Sequence, residues 1–221
     1  MPQWWTDLDT GLLLLFNGGG NAFVDSLAIT YTSTLTWLPF FLGAIIMLWR
    51  SELPARHVYL IIGGALLGLL IADGVAEGLV KPWVQRLRPC NEPELADMVR
   101  IVNNYRSTDY SFFSGHATNT SMLALLLLTI VRQRRFTIAV VAWSLVNCYT
   151  RLFLAQHYPT DIITGLFWGS MVGVIIGKWL LQRITILKAT TYQTIQFQTI
   201  YPIAGMGLSV LYGIVIAVLQ A

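Results

Sequence analysis

At 221 residues, 55% hydrophobic, 11% charged and with a mean hydropathy of +0.61, the chain lacks the polar surface to cover itself with water, since a soluble domain carries roughly 25% charged residues. The composition excludes a soluble globular protein and points to an all-α fold, a polytopic membrane helical bundle forming a single domain over residues 1–221. A scattered net charge of +3 argues against nucleic acid as a partner, and two cysteines at different expected depths, Cys90 and Cys148, argue against a disulfide or a metal site.

The first element is too short to span a bilayer. Residues 2–16 (PQWWTDLDTGLLLLF) combine belt tryptophans, Trp4 and Trp5, with an apolar run from Leu12 to Phe16. This predicts an N-terminal interfacial amphipathic helix lying on lipid, ended by Gly18, Gly19 and Gly20. The N-terminus has neither a basic region nor an A-x-A pattern, so it does not read as a signal peptide.

About six transmembrane helices follow, near 26–49, 57–80, 114–131, 136–154, 160–181 and 197–219, at ~20 apolar residues per crossing. Pro159 suits the first turn of the fifth. The polar stretch Gln193–Thr199 leads into the sixth. Basic residues gather in alternate connections: Arg50 and Arg56, then Arg132, Arg134 and Arg135, then Lys178, Arg183 and Lys188. The positive-inside rule makes these cytoplasmic. Residues 81–113, the turn 155–159 and both termini then face outward.

Three charged clusters map to that outer face: KPWVQRLRP from Lys81 to Pro89, FSGH from Phe113 to His116, and TRLFLAQHYPTD from Thr150 to Asp161. Ionisable residues at span ends are expensive and mark function. Lys81, Arg88 and Arg151 supply three positive charges, and an arginine fork matches phosphate oxygens. Ser114 and Gly115 open a helix whose N-terminus favours an anion, with Gly115 allowing close backbone approach. Such a pocket suits a tetrahedral dianion, with phosphate as its obvious form. Asp161 follows His157 by four positions. A carboxylate on one ring nitrogen leaves the other free to attack. His116 could protonate a leaving oxygen. For Arg151 and His157 to meet one ligand, the chain must turn between them.

Asp73, Glu77 and Lys81 share one helix face, so Glu77 could hold Lys81 toward the pocket. His57 reads as an interfacial residue, and Arg86 and the segment from Cys90 to Tyr110, with Arg100 and Arg106, as solvated loop. The Asn119-Thr120-Ser121 sequon sits in an expected span and carries no weight.

Together the clusters resemble the type 2 phosphatidic acid phosphatase superfamily, whose pattern is K-x6-RP, then P-S-G-H, then S-R-x5-H-x3-D. Lys81 and Arg88-Pro89 match the first motif, Ser114-Gly115-His116 the second, and Arg151, His157 and Asp161 the third. Phe113 stands in place of the usual proline and Thr150 in place of serine. The motif-bearing core spans about 57–181.

The resemblance implies a metal-independent phosphatase with no cofactor. It makes His157 the nucleophile that forms a phosphohistidine, Asp161 its orienting carboxylate, and His116 the acid. Lys81, Arg88, Ser114, Gly115 and Arg151 would cradle the phosphoryl oxygens. The expected substrate is a lipid phosphate at the outer face of a bacterial cytoplasmic (inner) membrane, among membrane lipids: undecaprenyl pyrophosphate, lipid A, phosphatidylglycerophosphate or phosphatidic acid. The competing readings are a lipid phosphotransferase using the same histidine and a transporter lined by Asp73 and Glu77. Charges gathered at one face, rather than at the midplane, weigh against transport.

Overall fold

A computed structural model describes residues 3–187 and 197–221, with side chains within 6–184 and 197–221. Lys188, most of Gln193–Thr199, and the side chains of Trp4 and Trp5 lie outside the described residues. Nine α-helices occur among the described residues: α1 (Gln3–Asn17), α2 (Ala22–Thr32), α3 (Leu38–Trp49), α4 (Ala55–Val75), α5 (Lys81–Val84), α6 (Gly115–Val131), α7 (Arg134–Phe153), α8 (Pro159–Leu187) and α9 (Ile200–Gln220).

Helix α1 stops at Asn17 and the chain bends by 115° into α2. One face of α1 carries Asp9, Leu13 and Asn17, all buried, and it packs on α7 and α8. Leu8, Leu12, Leu15 and Phe16 remain exposed. The helix therefore has two jobs, an apolar face turned outward and a second face docked on the protein.

Helices α4, α7, α8 and α9 are long and apolar enough to cross a membrane, while α6 has 17 residues. The expected first span, 26–49, is not one helix. It breaks at Ser33 and passes through a 3-10 turn, Thr34–Trp37, before α3 begins. Side chains cap the break: Thr36 Oγ1 donates to the Thr30 carbonyl at 2.6 Å and Trp37 Nε1 to the Tyr31 carbonyl at 2.8 Å. Both halves still run antiparallel along α9. Ser26 bonds Gln220, and Tyr31 Oη donates to the Val210 carbonyl at 2.8 Å. A Cβ at Gly205 would lie 2.2 Å from the Pro39 carbonyl oxygen, so the α3–α9 crossing has room only for glycine. The pieces behave as one interrupted track, with its break near the end that carries the charges.

The tightest contact joins α6 and α8. Gly165, Gly169, Gly173 and Gly177 form a stripe at four-residue spacing along α8. A Cβ at Gly169 would lie 2.1 Å from the Thr118 carbonyl oxygen, and one at Gly173 2.3 Å from that of Met122. Small residues at this spacing let helix backbones touch, which drives packing where lipid leaves little hydrophobic force between helices. The numbering rises together in both helices, so they are parallel and both N-termini lie at one end. Helix α4 runs antiparallel to α6, since Gly68 meets Met122 and Gly115 meets Glu77. The core between them holds Phe40, Met122, Leu126, Phe136 and Trp143.

Candidate functional site

Four helix ends meet at the charged end of the bundle: α4 leaving, α6 entering, α7 leaving and α8 entering. Backbone hydrogen bonds fasten the three motifs to one another. Ser111 N donates to the Arg86 carbonyl (2.8 Å), Cys90 N to that of Ala155 (3.0 Å) and Ser114 N to that of Asp161 (3.1 Å). The required turn after Arg151 is present. Helix α7 ends at Phe153, and Ala155 adopts a left-handed conformation with φ 53°. That conformation is uncommon outside glycine and asparagine. It reverses the chain so that His157 points back beside Arg151.

His157 is 1% exposed. Its Nε2 lies 3.1 Å from Arg88 Nη1 and its Nδ1 3.5 Å from Asp161 Oδ2. A guanidinium can only donate, so Nε2 is the acceptor and carries the lone pair. The proton then sits on Nδ1, facing the carboxylate. This is the tautomer an attacking Nε2 needs. Burial holds the His157 imidazole well below the usual histidine range, and the charges of Arg88, Arg151 and Lys81 push the same way.

Asp161 is fully engaged. Its Oδ1 accepts from Arg86 Nη1 at 2.8 Å, and its Oδ2 accepts from Tyr158 N at 2.9 Å and from the Ser111 hydroxyl.

Lys81 Nζ lies 2.7 Å from Glu77 Oε1 and 2.9 Å from Asp109 Oδ2. Helix α4 passes through a π-helical turn, Ala76–Val80, just before Lys81, a distortion common at functional sites. Gly115 lies close to this pair: a Cβ there would stand 2.7 Å from Glu77 Oε1, so a larger residue would push the Glu77 side chain aside. Ser114 caps α6, its hydroxyl accepting from Ala117 N at 3.4 Å. Phe113 is buried at the preceding position, and the Thr150 hydroxyl bonds the Asn147 carbonyl within α7. Asp109 sits on the cations: its Oδ2 accepts from Arg88 Nη2 at 2.6 Å as well as from Lys81, and its carbonyl accepts from Arg88 Nε at 3.1 Å. Arg88 and Lys81 hold the Asp109 carboxyl well below the usual carboxylate range, against the opposing effect of burial.

The break after α2 serves the other half of the site. Arg151 Nη1 donates to Thr32 Oγ1 at 2.7 Å, and His116 Nε2 meets the Thr32 carbonyl at 3.1 Å. An unbroken helix would have spent that carbonyl internally. With Nε2 donating there, Nδ1 is the ring atom of His116 left for proton transfer. Arg151 is buried, and its Nε has no partner among the described residues.

From His116 a cleft of about 760 Å³ runs between α3 and α4. Phe40, Phe41, Ile45, Leu66, Leu69 and Leu123 are among its apolar walls. Asp73, Asn119 and His116 line it too, with Thr34, Thr120 and Asn147 as further polar residues. Asn119 Nδ2 donates to Asp73 Oδ1 at 2.8 Å, while Asn119 Oδ1 is buried without a partner among the described residues.

The site thus brings His157, Asp161, Arg88, Lys81 and Glu77 into one connected cluster. Arg151 and His116 join through Thr32. Asp73 stands apart from Lys81, paired with Asn119. Arg86 is not a solvated loop residue. Its side chain is 15% exposed and lies between Asp9 and Asp161. The segment from Cys90 to Tyr110 is anchored rather than free, with Arg100 Nη1 donating to both carboxylate oxygens of Asp25 at 2.8 Å and Arg106 to the Cys90 carbonyl. Thr32, Asp109 and Asp9 were not foreseen. Their only sequence signal is a polar residue within or beside an apolar run.

Comparison with known proteins identifies a membrane-integral phosphate-ester hydrolase. Residues 62–185 match the PAP2 superfamily model. The chain is 33% identical over 208 residues to a lipid A 4'-phosphatase of Bacteroides thetaiotaomicron, covering 94% of this chain and 88% of that one. It is 32% identical over 174 residues to a lipid A 4'-phosphatase of Porphyromonas gingivalis, covering 78% and 72%. The fold resembles the crystal structure of a PAP2-type phosphatidylglycerolphosphate phosphatase from Bacillus subtilis, with a TM-score of 0.59 at 16% identity over 85% and 90% of the two chains. The chain belongs to the PAP2 superfamily.

Proposed function

We propose that the chain removes a phosphate from a sugar-bearing lipid of the lipid A type, at the outer face of a bacterial inner membrane. The observation that carries this reading is the cleft that opens at His116. An apolar channel beside a three-cation pocket fits a substrate whose phosphate is held while its hydrocarbon stays in lipid. Asp73 and Asn119 in the cleft wall suit the hydroxyl or amide of a sugar between phosphate and acyl chain. The two relatives named lipid A 4'-phosphatase support the same choice. Arg50, Arg56, Arg134 and Arg135 lie at the opposite end of the bundle from the site, which supports an outward-facing site.

The steps follow from the geometry. Nε2 of His157 attacks phosphorus with its lone pair while the bond to the sugar oxygen breaks. His116 takes up a second proton, on Nδ1, once the anionic phosphate lies beside it, and gives that proton to the leaving oxygen. Asp161 steadies the imidazolium-like ring. Arg88, Lys81 and Arg151, with Ser114 and Gly115 at the start of α6, take the charge of the phosphoryl oxygens. Water then attacks phosphorus, hands a proton to His116, and the P–N bond breaks to restore His157.

The test is phosphate release by purified protein in detergent with excess chelator. The lipid panel comprises a phosphorylated acyl-glucosamine lipid, a glycerol-based lipid phosphate and a prenyl diphosphate, with His157→Ala beside the wild type. Release favouring the sugar lipid and absent in His157→Ala is expected. A wild type that prefers the glycerol or prenyl lipid removes the substrate assignment. Activity surviving in His157→Ala removes the nucleophile, and activity lost to the chelator removes the metal-free mechanism.

A further inference from the structure

Arg86 lies within the first motif but is not one of the positions that define it. Its guanidinium divides between two carboxylates from distant parts of the sequence. Nη1 bonds Asp161 Oδ1 at 2.8 Å and Thr160 Oγ1 at 2.9 Å, and Nη2 bonds Asp9 Oδ2 at 2.7 Å. The group also stacks 3.7 Å over the Tyr158 ring. Asp9 is 2% exposed and further tied to the start of α8: Oδ1 accepts from Thr160 N at 3.0 Å and Oδ2 from Thr160 Oγ1 at 2.5 Å. Burying a carboxylate is costly unless it is paired and hydrogen-bonded. Asp9 meets both conditions, using a helix that lies wholly outside the family-matched residues 62–185.

The charge balance gives this arrangement a consequence. Arg86 and Asp161 alone form a neutral pair, with little charge left to face His157. Adding Asp9 gives the trio a net charge of −1 beside the ring. That charge matters most once Nε2 carries phosphorus and the ring turns cationic. We propose that Asp9 is a positioning residue of the active site: it shares and holds Arg86, so that Asp161 keeps its charge and place for His157. The N-terminal helix then belongs to the catalytic machinery. This rests on the reading of His157 as nucleophile.

The test is a double-mutant cycle of Asp9→Asn and Arg86→Gln on the full chain in detergent. Each variant is checked for melting temperature and monodispersity, and His157→Ala is the control. The asparagine keeps the shape and the Thr160 contact but loses the charge. Asp9→Asn is expected to lower kcat by about tenfold to a hundredfold, the usual scale for partners behind a reacting group, with KM within about threefold. In the Arg86→Gln background the same change should cost nothing more, or recover part of the loss because two carboxylates no longer repel. Unchanged kcat in Asp9→Asn overturns the proposal, as does an equal loss in both backgrounds, which marks a role independent of Arg86. If Asp9→Asn folds poorly, the double variant decides: kcat matching Arg86→Gln supports the proposal, and wild-type kcat overturns it. Activity persisting in His157→Ala marks a failure of the nucleophile reading instead.

Discussion

Arg88 Nη1 stands 3.1 Å from His157 Nε2, so the guanidinium proposed to grip a phosphoryl group also fixes the lone pair proposed to attack it. Two roles converge on one fork, and a lysine cannot fill both, because it is a point charge without fixed directions. Arg88→Lys should therefore lower kcat/KM despite keeping the charge. The expected loss is about a hundredfold to a thousandfold, the scale of losing one directed donor to a developing oxyanion. Steady-state phosphate release with the best lipid of the panel measures it, and a loss under tenfold would mean that charge alone suffices.

Buried and faced by Arg88, Arg151 and Lys81, His157 has its imidazole held well below the ordinary value of 6.5. The proposed nucleophile stays neutral as pH falls through that value, so kcat/KM should show no acid limb from His157 near pH 6.5. Stability behaves differently. The unfolded chain takes up a proton on this histidine below about pH 6.5 and the folded chain does not, so the stability present above that pH is lost as pH falls. Melting temperature in detergent should drop between pH 7.5 and 5, and drop less in His157→Gln. An acid limb of kcat/KM near pH 6.5 in the wild type, or an equal drop of melting temperature in His157→Gln, would contradict the buried geometry.

Much of the site was legible because its chemistry is written in residue types that a bilayer penalises. Lys81, Arg88, His116, Arg151, His157 and Asp161 stood out against hydrocarbon, and the expected turn between Arg151 and His157 exists. Arg86 did not stand out, because a basic residue near a span end has an ordinary topological explanation. Its carboxylate partner Asp9 lies 77 positions away, and no local spacing joins them. The break at Ser33 was equally hidden. The run 26–49 carries no charge, although Thr30, Thr32, Ser33, Thr34 and Thr36 cluster around the break, and the interruption depends on Thr36 and Trp37 capping carbonyls that the helix would otherwise use. Six spans were counted from hydropathy, which measures apolar length and is blind to such a break.

The glycine stripe of α8 carries its own prediction. A methyl at position 169 would meet the Thr118 carbonyl oxygen at 2.1 Å, and backbone cannot step aside as a side chain can. Gly169→Ala should destabilise the fold by about 1–3 kcal/mol, the usual cost of overpacking. It should also depress activity, since parting α6 from α8 pulls Ser114 away from Asp161. Gly63→Ala is the control. Its Cβ would meet nothing within 4 Å, and alanine is the better helix former by about 1 kcal/mol. Thermal unfolding of the two variants should move in opposite directions or leave Gly63→Ala unchanged. Equal destabilisation would mean that helix packing at the stripe is not the cause.

Asp109 occupies the place where a phosphate would compete for the same donors. Its carboxylate accepts from Arg88 at 2.6 Å and Lys81 at 2.9 Å, yet its side chain is 48% exposed. An exposed partner is screened, so the ion pair holds the cations in readiness without blocking them firmly. Because Arg88 and Lys81 keep the carboxyl well below its ordinary range, it stays charged at every working pH, and acidification to pH 5 does not release it. Displacement has to come from a competing anion. Asp109→Ala should therefore tighten inhibition by inorganic phosphate or orthovanadate by about two- to fivefold, the scale of a screened ion pair worth up to about 1 kcal/mol. Asp109→Asn should fall between the two, since an amide oxygen still accepts but carries no charge. Weaker anion binding in Asp109→Ala would mean that Asp109 orders Arg88 and Lys81 for the ligand more than it competes with it.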